Sequence, residues 1–89
     1  MVKWELIYTN QARKDAKSAS KMGFKQKIET LLGLIAINPF VNPPCYEKLV
    51  GNLSGAISRR INKKQRLIYQ VLKAEKTIKI IRMWTHYDK

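Results

Sequence analysis

The period of the apolar residues changes from two to 3.6 and back to two along this 89-residue chain, and that order of changes leaves few folds open. Residues 2 to 8 alternate, with Val2, Trp4, Leu6 and Tyr8 against Lys3, Glu5 and Ile7, the pattern of a half-buried strand. Ala12, Ala16 and Ala19 then form a narrow small-residue stripe at helical spacing among lysines. Thr9 or Asn10 is placed to cap that helix and Gly23 to end it. Phe24, Ile28, Leu31, Leu32 and Ile35 continue on a second helix. It stops before Asn38-Pro39, because proline disfavours helical geometry in the residue ahead of it. The segment "NPFVNPPCY" holds all three prolines and reads as an extended, ordered loop. Beyond the turn signal "NLSG" the period returns to two in "AISRRIN", "RLIYQVL" and "TIKIIRMW". The predicted architecture is α+β in two layers, a helical hairpin on one face of a mainly antiparallel four-stranded sheet in the order β-α-α-β-β-β. It forms one domain over residues 1–89.

Charge narrows the partners. Lys and Arg number 18 against 6 Asp and Glu, a net charge of +12, which favours a polyanion; nucleic acid comes first, a membrane surface or acidic protein after it. The hydrophobic fraction of 45% supplies enough apolar side chain to fold despite that charge. Cys45 is the only cysteine, so no internal disulfide forms, and no second cysteine or histidine stands near it at metal-ligand spacing. A cytoplasmic protein without metal or cofactor is expected. The longest apolar run, "LLGLIAI", is too short to span a bilayer, and "MVKWELIYT" lacks the features of a signal peptide.

Within "AISRRINKKQRLIYQVL" the strand period sets Ser58 and Arg60 on one face and Ile57, Arg59 and Ile61 on the other. If Arg60 and Arg66 share a face, their guanidinium groups can hold a phosphate by paired hydrogen bonds and stabilise charge on a pentacoordinate phosphorus. The alternative is a solvated basic strand that binds phosphate without chemistry. Glu47 is one of six acids in a basic chain, and nearby cations would keep it ionised. It is either a base for a ribose 2′-OH or a salt-bridge partner of Lys48 or an arginine. His86, the only histidine, is either the acid that protonates the departing 5′-oxygen or an exposed tail residue. Among arginines its pKa is lowered, so bound anionic RNA must help to charge it. Tyr87 either contacts phosphate or a base, or packs on the helix layer.

The run "E-K-L-x-G-N-L-S-G-x-x-S-R-R-I-N-x-x-x-R-L-I-Y" from Glu47 to Tyr69, the terminal "H-Y" and the "N-P-F" after the second helix resemble the YoeB/Txe toxins of the RelE superfamily. The resemblance spans nearly the whole chain and is most specific in the "NLSG…SRRI…RL.Y" block. It implies a bacterial type II toxin, a metal-independent messenger-RNA endoribonuclease acting in the ribosomal A site and neutralised by a YefM/Axe-type antitoxin. Operator DNA would be contacted only through the antitoxin complex, and a homodimer is left open. Position by position it implies Glu47 as general base, His86 as general acid, Arg66 as the phosphate-stabilising arginine, Arg60 as a further active-site arginine and Tyr87 as the aromatic after the histidine. Three departures stand out. Val50 replaces the family lysine before "xNLSG", which removes that phosphate contact or moves it to Lys48. Ile57 replaces an aromatic before "SRR". The arginine that relatives carry two positions before the histidine is absent, Arg82 lying elsewhere in the strand.

Ribosome docking would use the lysines at 14, 17, 21, 25, 27, 63 and 64. Two other classes stay open: a non-catalytic RNA- or ribosome-binding protein using the same basic face, and a DNA-binding repressor. The apolar second helix suits a repressor's recognition helix poorly.

Overall fold

In the computed structural model, which describes residues 3–43, 45–49 and 55–85, the chain runs β1 (Glu5–Tyr8), α1 (Asn10–Lys21), α2 (Lys25–Ile37), β2 (Tyr46–Lys48), β3 (Ala56–Arg60), β4 (Arg66–Leu72) and β5 (Thr77–Thr85). The first turn of α1 forms where the sequence supplies a cap: Thr9 Oγ1 accepts the Ala12 N–H at 3.0 Å. Gly23 closes the helix at φ +84°, and the Phe24 N–H returns to the Ala19 carbonyl at 3.0 Å. At the far end of α2, Asn38 leaves helical geometry ahead of Pro39, and its Oδ1 accepts the Phe40 N–H at 3.0 Å, starting the loop.

The five strands lie in the order β1-β5-β4-β3-β2, with β1 parallel to β5 and every other pair antiparallel. Ala12 and Ala19 of α1 and Ile28, Leu31 and Ile35 of α2 pack against Ile57, Leu67, Tyr69, Ile78 and Ile80 of the sheet. Each fully buried Ile or Leu there is worth roughly 1.5–3 kcal/mol relative to exposure. The alternate residues Ala56 and Ile68, with Leu49, form a separate small cluster joined by Ile81.

The class and element order agree with the sequence pattern; the strand count does not. A fifth strand, β2, carries Glu47 at the edge of the sheet, where four strands were expected. Three residues between a proline-rich loop and a turn are too few to show a period, and pairing with β3 makes them a strand. A second surprise lies in the alanine stripe. Asp15 sits among Ala12, Ala16 and Ala19 at 5% exposure, a buried acid facing β5.

Candidate active site

Strand register places the polar residues. On the β2–β3 ladder Tyr46 stands opposite Arg59, Glu47 opposite Ser58 and Lys48 opposite Ile57; on the β3–β4 ladder Arg60 stands opposite Arg66. Cross-strand partners share a face and neighbours in a strand alternate, so Glu47, Ser58, Arg60 and Arg66 lie on one face. Asn62 shapes the turn between β3 and β4: its Oδ1 accepts the Lys64 N–H at 2.8 Å and the Gln65 N–H at 2.7 Å. This turn brings the two arginines into register at the mouth of the hairpin.

These residues border a cleft of about 690 Å³ reaching from the β2–β3 edge to α2. Lys27 of α2, Arg60, Lys63 and Arg66 supply four positive charges to its lining and Glu47 one negative. Arg66 Nη1 donates to Glu47 Oε1 at 3.4 Å, with the side chains 20% and 42% exposed respectively. A contact this long and this open to water contributes at most about 1 kcal/mol, so an incoming phosphate can displace the carboxylate from the arginine at little expense.

Arg59, next to Arg60 in sequence, has a different task. It is 1% exposed; its Nε donates to Tyr69 Oη at 3.0 Å, its Nη2 to the Pro39 carbonyl at 3.2 Å, and its guanidinium lies 4.8 Å from the Tyr46 ring centre. Tyr69 donates to the same carbonyl at 2.6 Å. Burial pushes the Tyr69 phenol above its usual pKa against the opposing effect of Arg59, so it stays a neutral donor. The pair ties the loop that delivers β2 to the middle of the sheet.

A second anchor holds β5. Asp15 Oδ2 accepts Arg82 Nε at 2.6 Å and the Met83 N–H at 3.1 Å; its Oδ1 accepts Arg82 Nη2 and Gln11 Nε2, each at 3.2 Å. Burial opposes ionisation of Asp15, but the hydrogen bonds from Arg82, Gln11 and Met83 outweigh it and hold the carboxyl below its usual range. The same bond raises the Arg82 pKa. Thr9 adds a hydrogen bond from Oγ1 to the Ile81 carbonyl at 2.8 Å. Together they grip β5 where its pairing with β1 has ended, and Thr85 is thereby held opposite Arg66.

Of the residues marked in the sequence, the structure brings Glu47, Arg60 and Arg66 together. It does not bring Lys48, which is exposed on the alternate face of β2 and borders a separate depression with Phe40, Ile57 and Lys73. His86 and Tyr87, like Val50, Gly51 and residues 52–54 of the "NLSG" turn, lie outside the described residues. Sequence reasoning gave no role to Asp15 or Ser58, and none to Arg59 beyond its face. The acid within an alanine stripe was the one available signal for Asp15. Among the described residues no three His, Cys, Asp or Glu side chains converge as metal ligands, and no helix is long and apolar enough to cross a membrane.

A two-layer α+β domain with a helical hairpin on one face of this sheet is the architecture of the small toxins of the RelE superfamily, and solved structures agree on the fold. The YoeB/ParE toxin from Agrobacterium tumefaciens superposes with a TM-score of 0.84 at 26% identity, covering 93% of this chain and 99% of that one. The Staphylococcus aureus YoeB is 34% identical. It superposes at 0.78 in its complex with YefM, covering 94% of this chain and 98% of that one, and at 0.80 as a dimer, covering 96% and 99%. Toxin YoeB of Synechocystis sp. (strain ATCC 27184 / PCC 6803 / Kazusa) is 39% identical over 64 residues, 72% of each chain. The family model described as "YoeB-like toxin of bacterial type II toxin-antitoxin system" matches residues 7–87, and the chain belongs to that family.

Proposed function

We propose that this toxin is a ribosome-dependent messenger-RNA endoribonuclease that cuts within the A-site codon by metal-independent acid–base chemistry. The observation that carries the proposal is the Glu47–Arg66 pair at 3.4 Å with Arg60 directly across the ladder from Arg66. A base and two phosphate ligands thus stand on one face of a basic cleft. Glu47 takes the proton of a ribose 2′-OH, and the 2′-oxygen attacks the adjacent phosphorus. Arg66 turns from Glu47 to the non-bridging oxygens and, with Arg60, stabilises the charge that builds on pentacoordinate phosphorus. The bond to the 5′-oxygen breaks, leaving a 2′,3′-cyclic phosphate. His86 protonates the 5′-oxygen as it departs and Tyr87 contacts the substrate beside it.

The exposed lysines at 14, 17, 21, 25, 27, 63 and 64 are suited to docking on ribosomal RNA, which would present the messenger already oriented. A YefM-type antitoxin neutralises the toxin, operator DNA is reached only through that complex, and the free protein can dimerise. The antitoxin and dimer readings are supported by the YoeB–YefM complex and the YoeB dimer from Staphylococcus aureus. The test is primer extension on a defined messenger in a purified bacterial translation system with wild type, Glu47→Ala and His86→Ala. Ribosome-dependent cuts inside the A-site codon that fade in both variants are expected. Equal ribosome or RNA binding by all three proteins without any cut would reduce the basic face to a binding surface.

A further inference from the structure

Among the described residues, one buried side-chain polar atom has no hydrogen-bond partner: Ser58 Oγ. Ser58 is 2% exposed and lies opposite Glu47 on the β2–β3 ladder, at the border of the cleft that Arg60 and Arg66 share. A buried hydroxyl without a partner is unfavourable, and alanine would fill the same space without that penalty. A serine on this strand therefore calls for a state of the molecule in which its hydroxyl is used.

Resting on the nuclease reading above, we infer that Ser58 is a positioning residue for Glu47, donating to its carboxylate once Arg66 has moved to the substrate phosphate. Side chains directly opposite on antiparallel strands have Cβ atoms roughly 4.5–5.5 Å apart, so a serine hydroxyl can reach the carboxylate of its cross-strand glutamate without backbone movement. Glu47 Oε1 is turned to Arg66. Transfer of the guanidinium to phosphate takes that donor away from the carboxylate just as it must act. The Ser58 hydroxyl replaces it with a neutral donor, which keeps the carboxylate oriented without placing a positive charge on the base.

The inference separates stability from rate. Ser58→Ala removes an unpaired buried hydroxyl and is expected to melt at the wild-type temperature or above it. Its single-turnover cleavage of a defined messenger on programmed ribosomes is expected to slow roughly ten- to hundredfold, the scale of a hydrogen bond to a charged group. Binding to the same ribosomes carrying a messenger with a 2′-deoxynucleotide at the cut position, which cannot react, is expected to stay within about twofold of wild type. Ser58→Cys refills the space with a weak S–H donor and is expected to be slow as well. In a Glu47→Ala background Ser58→Ala should cause no further loss, because the serine acts through the glutamate.

A wild-type rate in Ser58→Ala overturns the inference, as does full recovery in Ser58→Cys, which would assign the loss to packing. So does a parallel loss of binding to the 2′-deoxy messenger, which would make Ser58 a phosphate ligand. An additive loss in the Glu47→Ala background breaks the link to the base. If wild type and Glu47→Ala cut equally well, or neither cuts, the nuclease assignment of Glu47 has failed, and the inference with it. A Glu47-dependent cut with Ser58→Ala at full rate sinks the inference alone.

Discussion

Replacing Asp15 with alanine tests whether a buried carboxylate on α1 sets the position of β5. The side chain of Asp15 is 7% exposed and that of its partner Arg82 is 35% exposed, and the carboxylate also holds the buried Met83 N–H. Without the carboxylate the Met83 N–H has lost that acceptor, at about 1–3 kcal/mol. Arg82 is open enough for water to recover part of its loss, which keeps the total below the roughly 3–5 kcal/mol of breaking a fully buried pair. A destabilisation of about 3 kcal/mol is therefore expected for Asp15→Ala. In a domain of this size it lowers the melting temperature by roughly 12–24 °C. Asp15→Asn keeps the shape and an acceptor for Met83 but gives up the charge, and should lose roughly 1–2 kcal/mol.

The pH dependence follows from the same carboxyl. Burial acts to raise its pKa, but the bonds from Arg82, Gln11 and Met83 prevail, and the folded value lies below the ordinary 3.8. Between the two values the unfolded chain binds more protons than the folded one, so the stabilisation is complete above about pH 4 and is lost as the pH falls through the folded pKa. Thermal melts followed by circular dichroism at pH 7 and across pH 5 to 2 measure both effects. Asp15→Asn should show a shallower acid limb than wild type. A melting temperature for Asp15→Ala within 4 °C of wild type at neutral pH, or an acid limb in Asp15→Asn as steep as in wild type, would refute the reasoning.

Three further outcomes are expected. Tyr69→Phe removes the acceptor of Arg59 Nε and a donor to the Pro39 carbonyl, and should destabilise by about 2 kcal/mol in urea titration, with faster amide exchange in residues 38–46. Arg60→Ala, exposed and at the cleft, should leave stability within about 0.5 kcal/mol while weakening RNA binding and lowering the slope of log K against log salt by about one, as read by fluorescence anisotropy across a salt series. Gly23→Ala meets no atom within 4 Å, so its effect is backbone strain alone at φ +84°, about 1–2 kcal/mol in the same urea titration.

What the sequence made legible was periodic or local. The cap at Thr9, the stops at Gly23 and Asn38, the core faces of both helices and the three long strands after the loop all follow from spacing and turn chemistry within about ten residues. The alternation that parts Arg59 from Arg60 was readable for the same reason, and the structure buries the first and exposes the second. Strand β2 was not readable, since three residues have no period and their conformation is set by a partner nine to thirteen positions away. Nor were the anchors. The Asp15–Arg82 contact joins residues 67 apart, and the tie from Tyr69 to Pro39 joins residues 30 apart, so only the folded chain reveals them. Glu47, Arg60 and Arg66 were named as candidates from the sequence, but whether the arginines shared a face depended on a ladder register that the sequence leaves open.

These anchors explain how so small a sheet can hold its edge strand and the end of β5 in place, as the proposed chemistry requires. Glu47 rides on an edge strand of three residues, and Thr85 ends a strand that β1 flanks only as far as Ile80. Ladder hydrogen bonds alone would leave both segments prone to fraying, because an edge strand opens at low free energy when few apolar contacts cover it. Each is instead tied by a buried charge that reaches across the fold: the Arg59 cation, through Tyr69 and Pro39, for the loop that delivers Glu47, and the Asp15 anion, through Arg82 and Met83, for β5. A buried charge with its partners satisfied tolerates little displacement, because moving away leaves it unpaired in a low dielectric. The cleft is thus made precise from behind, by buried charges outside its lining, while the Glu47–Arg66 contact in front is long and weak enough to open, as the proposed mechanism requires.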